Sequence, residues 1–244
     1  MNRDERVSRV AALFANRTAV RPSRSLCSTS VAALDVSSAG LTLMSGDHSS
    51  PVCASDARAG VLDELQFALG EGPCPDAYQS RAPVFEPDLK HASPERWPQF
   101  TPPAVDAGAR GVFAFPLQSG ANCIGVLTLY QDTAGDLTPD QAADGPLVAE
   151  ALVRSMLTIQ SASGPEFLAN ELVDVDAHRA EVHQASGMLA VQLGIAVADA
   201  AVRLRASAYA TNRSVAALAR DIVERRVRLI DDTERGGSRG VIWE

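Results

Sequence analysis

Residues 178–229 read HRAEVHQASGMLAVQLGIAVADAAVRLRASAYATNRSVAALARDIVERRVRL, a long run without proline and with a helical apolar rhythm. Val182, Ala185 and Leu189 recur at the three-and-four spacing that puts them on one helix face. Gly194 ends that run as a left-handed C-terminal cap would. Ala201, Leu204 and Ala208 form a second stripe. Ser214, a good N-cap, opens a third built on Leu218, Ile222 and Val223. Periodicity alone therefore predicts a compact three-helix unit.

Charge sets this stretch apart from the rest of the chain. Ala177 to Ile230 holds eight Arg against four acidic residues, whereas residues 1–176 hold twelve basic and twenty-two acidic ones. The formal net charge of the whole chain is -8, which argues against a general nucleic-acid coat. A basic module on an acidic chain fits a local anionic ligand instead. Lys90 is the one Lys, and that bias is read as genomic composition rather than mechanism.

The segment resembles the ANTAR domain, a three-helix module that binds nascent RNA. The resemblance rests on Arg179, then Val182-His183-Gln184-Ala185-Ser186-Gly187-Met188-Leu189, Gly194, Ala201 with Leu204-Arg205 and Ala208, Asn212-Arg213, and Val215 to Val223, all in the family's order. The Lys often found before the glycine is Ser186 here. The RNA-binding candidates are Arg179, Gln184, Ala185, Ser186, Gly187, Arg203, Arg205, Ala208, Tyr209 and Arg213. Small residues among guanidinium groups suit splayed bases that approach a backbone while Arg neutralises phosphate. The bland alternatives are that Ala185, Gly187 and Ala208 permit close helix packing and that Tyr209 is core. Arg225, Arg226 and Arg228 are read equally as backbone contacts or a solvated face.

Upstream, Val7, Val10, Leu13 and Phe14 predict an amphipathic helix over Asp4–Asn16, and Arg17–Ser25 a polar loop. LCSTSVAAL, AGLTLMSG and SPVCASD read as three strands broken at Ser37-Ser38 and Gly46-Asp47. Ala57–Ala68 looks helical. Gly111–Gln118 and Cys123–Gln131 form the cleanest strand pair, joined by turn residues Ser119 to Asn122. Thr138-Pro139 opens a long helix towards Leu157, with Gly145-Pro146 as its weak point.

The segment Gln66-Phe67-Ala68-Leu69-Gly70-Glu71-Gly72-Pro73-Cys74, with Asp88-Leu89, Trp97-Pro98, Gly108, Pro116-Leu117 and Ile124 to Leu129, is similar to a GAF domain. More narrowly, it resembles the GAF found with ANTAR in actinobacterial regulators. The resemblance implies an antiparallel sheet flanked by helices, with a pocket under the covering loops. Cys74, Phe85, Trp97, Phe113 and Phe115 are the ligand-pocket candidates. The expected fold class is α+β, a GAF domain followed by an all-α three-helix ANTAR domain. The expected divisions are an N-terminal helix and loop (1–24), GAF sensor (25–160), linker (161–176), ANTAR domain (177–230) and flexible tail (231–244).

Catalysis finds little support. No P-loop, G-x-G-x-x-G or Ser/His/Asp order follows a strand. Cys27, Cys53, Cys74 and Cys123 are scattered, with no CxxC pair and no Cys/His cluster, so neither a disulfide framework nor a zinc site is expected. Cys74 reads as a small buried hydrophobe first and a redox-active thiol second. No long apolar run or signal peptide is present, so the expected location is cytoplasmic, away from membrane. No cofactor is legible; cyclic nucleotide, haem, redox chemistry and protein contact all stay open for the GAF pocket.

Together the resemblances imply a one-component, non-enzymatic regulator. A small-molecule or protein signal at the GAF domain would control an ANTAR homodimer that binds paired stem-loops in nascent mRNA and promotes transcription antitermination. The alternatives are a DNA-binding regulator, since three short helices with Arg can mimic a helix-turn-helix, and a sensor or partner-binding protein with weakened RNA affinity.

Overall fold

The computed structural model describes residues 2–15, 22–45, 48–163, 180–211, 213 and 215–229. The chain divides into two compact units, Met1–Leu172 and Val173–Glu244. The first is built on a five-stranded antiparallel sheet in the order β2-β1-β5-β4-β3. Its strands are β1 (Ser38–Ser45), β2 (His48–Ala54), β3 (Val84–Glu86), β4 (Gly111–Ser119) and β5 (Asn122–Gln131). The hairpin β4–β5 is the one its alternation predicts, and it turns at Gly120, whose φ of 62 favours glycine. Pro51 sits on the edge strand β2, where a residue without an N–H is tolerated.

Strand alternation gives the sheet two cores. Phe113, Phe115 and Leu117 of β4, with Leu127 and Leu129 of β5, pack under α1 (Arg3–Ala15), α2 (Pro22–Leu34) and α6 (Pro139–Ser163). Val112 and Ala114, with Val126 and Tyr130, pack under α3 (Ala57–Leu69), α4 (Pro73–Ser80) and α5 (Thr101–Asp106).

Residues 26–34 are helix α2, not the strand expected from LCSTSVAAL. Leu26, Ser30, Ala33 and Leu34 are buried at helical spacing. The Thr29 and Ser30 hydroxyls donate to the carbonyls of Ser25 (2.7 Å) and Leu26 (2.9 Å), back-bonds that absorb their polarity inside a helix. A second correction stems from the first. Once α2 is a helix lying on the sheet, Cys27 comes within 5.9 Å (Cα–Cα) of Cys53 on β2, and the two form a disulfide. Pairing across 26 residues of sequence left no local spacing signal.

α6 runs unbroken through Gly145-Pro146. Thr138 and Gln141 cap its start reciprocally, each amide donating to the other's side chain at 2.8 and 3.2 Å. Gly145 is where the Phe115 ring enters, since a Cβ there would lie 2.3 Å from Cζ of that ring. Arg6 and Arg9 of α1 clamp onto α6 through the carboxylate of buried Asp144.

Among the described residues the second unit contains three helices. α7 occupies the described residues 180–193, α8 is Val197–Ala210 and α9 is Val215–Val223. Gly194 takes the expected left-handed conformation, φ 64. Val182, Ala185, Leu189, Leu204, Ala208, Leu218 and Ile222 are buried as their periodicity demands. In the second stripe Ala200, rather than Ala201, is the fully buried alanine. Ser214, Asn212, the linker beyond 163 and the segment 231–244 lie outside the described residues.

Candidate functional site

After α9 the chain turns sharply. Arg225 is left-handed (φ 58), a conformation that costs a side-chain-bearing residue about 1–2 kcal/mol. The amides of Arg226 and Val227 both donate to the Asp221 carbonyl, at 2.7 and 3.2 Å. This turn buries Val227 and Leu229 and sends residues 225–229 back beside α7, where the Gln192 amide group donates to the Leu229 carbonyl. Between this strap and α7 lies an open groove. Gln184, Gly187, Met188, Val191 and Gln192 line one side, while Ile222, Val227 and the residues Arg225, Arg226 and Arg228 line the other.

Two features give the groove its character. A Cβ placed on Gly187 would meet nothing within 4 Å among the described residues, so their packing does not require this glycine. A glycine inside a helix costs roughly 0.5–1 kcal/mol against alanine, and no contact among the described residues explains it. The second feature is charge. Asp221 accepts from Arg213 and, at 3.2 Å, from Arg226; the hydrogen bond from Arg213 is the main reason its carboxyl titrates below the usual range. Arg220 pairs with Glu181 at 3.2 Å, which raises the guanidinium pKa. Arg225 and Arg228 are exposed and make no ion pair among the described residues.

The sequence candidates separate accordingly. Gln184 and Gly187 face the groove, beside arginines that sequence alone left undecided. Ala185, Ser186 and Ala208 are buried, and the Ser186 hydroxyl donates to the Val182 carbonyl at 2.8 Å. Arg203 is exposed on α8 and Arg205 half-buried. Arg213 is held by Asp221. Arg179 and the Tyr209 side chain lie outside the described residues.

In the first unit the five pocket candidates do not share one cavity. Cys74 and Trp97 belong to the Tyr130 side of the sheet. Phe113 and Phe115 belong to the other side, where Phe85 lies against both at centroid distances of 5.6 and 5.3 Å. Alternation along β4 forces this split. Sequence reading missed the polar group at the centre of the Cys74 side. The Tyr130 hydroxyl donates to Asp63 Oδ1 at 2.6 Å, and Gln66 Nε2 donates to the Tyr130 oxygen at 2.8 Å. Gln66 Oε1 accepts the Cys74 amide at 2.7 Å. Burial first, then Asp63, pushes the Tyr130 pKa well up. Glycines wrap this network: a Cβ on Gly40 would sit 1.9 Å from Asp63 Oδ2, and one on Gly72 2.6 Å from Gln66 Oε1. Trp97 Nε1 closes the edge by donating to Asp76 at 3.0 Å.

The two units are thus a five-stranded antiparallel sheet with flanking helices and a helical unit that carries an arginine-rimmed groove. Residues 23–143 match the family model of the GAF domain and residues 171–223 that of the ANTAR domain. The chain is a GAF and ANTAR domain-containing protein, of the signal-regulated ANTAR type. ANTAR domains are an RNA-binding type, and GAF domains bind small-molecule signals. Among solved structures, the free methionine-R-sulfoxide reductase of Neisseria meningitidis is similar at 18% identity and TM-score 0.48, over 65% of this chain and 90% of that one. The GAF domain of an Acinetobacter phosphoenolpyruvate-protein phosphotransferase is similar at 10% identity and TM-score 0.48, over 67% and 98%. No match was found among curated proteins. No helix among the described residues is long and apolar enough to cross a membrane.

Proposed function

We infer that this protein is a non-enzymatic regulator whose ANTAR unit, as a homodimer, binds paired stem-loops of nascent mRNA and promotes antitermination under control of the GAF unit. The observation that carries this is Gly187, a helix glycine that no described residue packs against, on the wall of a groove rimmed by arginines. A bare backbone beside guanidinium groups is what a splayed base and its phosphate need. Gln184, one turn before Gly187, supplies donor and acceptor for a base edge. The signal is received in the GAF unit on the Tyr130 side of the sheet, whose buried polar network sets which ligand or partner is accepted.

Filter binding with transcripts that hold tandem hexaloop hairpins tests the reading. Saturable binding at low salt, resistant to duplex DNA competitor, supports it. Absence of binding at low salt removes the RNA assignment, and displacement by duplex DNA redirects it to a DNA-binding regulator.

A further inference from the structure

Cys27 and Cys53 are joined in a disulfide, and Cys74 and Cys123 are not. The bond ties α2 to β2, an edge strand that pairs with β1 alone. A unit as large as Met1–Leu172, with two apolar cores, does not need a covalent staple to fold; that need arises below roughly 80 residues.

The placement of the bond points to another use. Cys53 stands opposite Leu41 and Pro51 opposite Thr42, so the register slips between them and Val52 is bulged. Pro51 has no N–H to donate. Beyond Cys53 the chain is fastened, because the Ser55 amide donates to the Ala39 carbonyl at 2.8 Å and the Ala39 amide to Ser55 Oγ at 2.9 Å. The disulfide therefore holds β2 where its ladder is weakest. Both sulfurs are also provided for once the bond is cut. The Cys27 amide donates to Cys53 Sγ at 3.2 Å, an interaction that favours a thiolate there. Cys27 Sγ lies 2.9 Å from the Cys53 carbonyl oxygen, to which a thiol would donate. The one site thus accommodates the oxidised and the reduced pair.

We propose that Cys27–Cys53 is a redox-responsive clasp, which a dithiol reductant opens within the folded GAF unit to release His48–Val52 from α2. The reductant's thiolate attacks Cys53 Sγ, since Cys53 is 8% exposed and Cys27 0%. The Sγ–Sγ bond breaks as the mixed disulfide forms, and Cys27 leaves and takes up a proton. The reductant's second sulfur, as a thiolate, then displaces Cys53, which departs as the thiolate that the Cys27 amide stabilises. Two electrons pass from the dithiol to the protein, the dithiol ends as a cyclic disulfide, and its two protons go to Cys27 and to solvent. This input is separate from the Tyr130 network: both cysteines belong to the core of Phe113, Phe115, Val148 and Leu152 on the α6 side of the sheet. It does not depend on the RNA reading.

The test uses the full chain without denaturant, with dithiothreitol as the reductant and oxidised glutathione as the oxidant. Alkylation and peptide mapping should find Cys27 and Cys53 linked after oxidation, both alkylated after reduction, and linked again on reoxidation, with the near-ultraviolet circular dichroism kept throughout. On reduction, amide exchange read by mass spectrometry should quicken by about tenfold or more over 48–54, since cutting a cross-link lets the strand open locally. It should stay unchanged over the β4–β5 hairpin. Cys27→Ser combined with Cys53→Ser should exchange like the reduced parent and ignore dithiothreitol. Reduction that occurs only after unfolding in urea makes the bond a structural staple and overturns the proposal. So does reduction in the folded state without faster exchange over 48–54, or a pair that oxidised glutathione does not link. The oxidised and reduced parent chains decide these points even where the double variant fails to fold.

Discussion

Gly187→Ala separates a structural role from a ligand-binding one because the two predict opposite signs. The added methyl meets nothing within 4 Å among the described residues, so no steric cost from them opposes it. The substitution then gains the full helix-propensity difference, about 0.8–1.0 kcal/mol. For a unit this small that raises Tm by roughly 4–8 °C, followed by circular dichroism in the transition of the C-terminal unit. RNA affinity moves the other way. A methyl on the groove wall holds a base off the backbone, and a loss of about 1.4 kcal/mol raises Kd about tenfold in filter binding. A variant that is stabilised and still binds like the parent refutes the role of Gly187 as the point of approach. A variant that is destabilised refutes the open space around it.

The same geometry carries other expectations. Neutralising Arg225 and Arg228 together should weaken RNA binding and reduce the slope of log K against log salt by about 1.4, the value for two single-strand phosphate contacts. Ser186→Ala should leave RNA affinity within about twofold of the parent, since the lost hydroxyl faces the Val182 carbonyl and a net hydrogen bond is small. Tyr130→Phe should destabilise the GAF unit by about 1–3 kcal/mol in urea unfolding, because Asp63 and Gln66 lose a buried partner. Asp221 titrates below its ordinary 3.8 in the folded unit, so its contribution is present above that value and is lost as pH falls through its own lower pKa. Asp221→Asn should therefore flatten the acid limb of the ANTAR unfolding profile.

The helices of the ANTAR unit and the β4–β5 hairpin were legible because each keeps one period over many residues. α2 was not, since β-branched Thr29 and Val31 suit a strand, and only the fold lets the Thr29 and Ser30 hydroxyls bond carbonyls four residues back. The GAF polar network was hidden for another reason. Tyr130 and Asp63 stand 67 positions apart, and only the sheet brings them together. Aromatic residues close in sequence misled instead, because Phe113 and Phe115 share a face that Cys74 and Trp97 do not. The arginine strap depends on a left-handed Arg225, a conformation that residue type disfavours and sequence reading does not suggest.

The glycine notch in α6 couples the two faces of the sheet. Residues 112 to 115 of β4 plug alternately into opposite faces of the sheet, so a push on Val112 or Ala114 is also a push on Phe113 and Phe115. Phe115 sits so deep in α6 that no methyl fits at Gly145. The strand thus ties the two cores together: the packing of Val112 and Ala114 on the Tyr130 side and the seat of Phe115 in the 25-residue α6 cannot be altered independently.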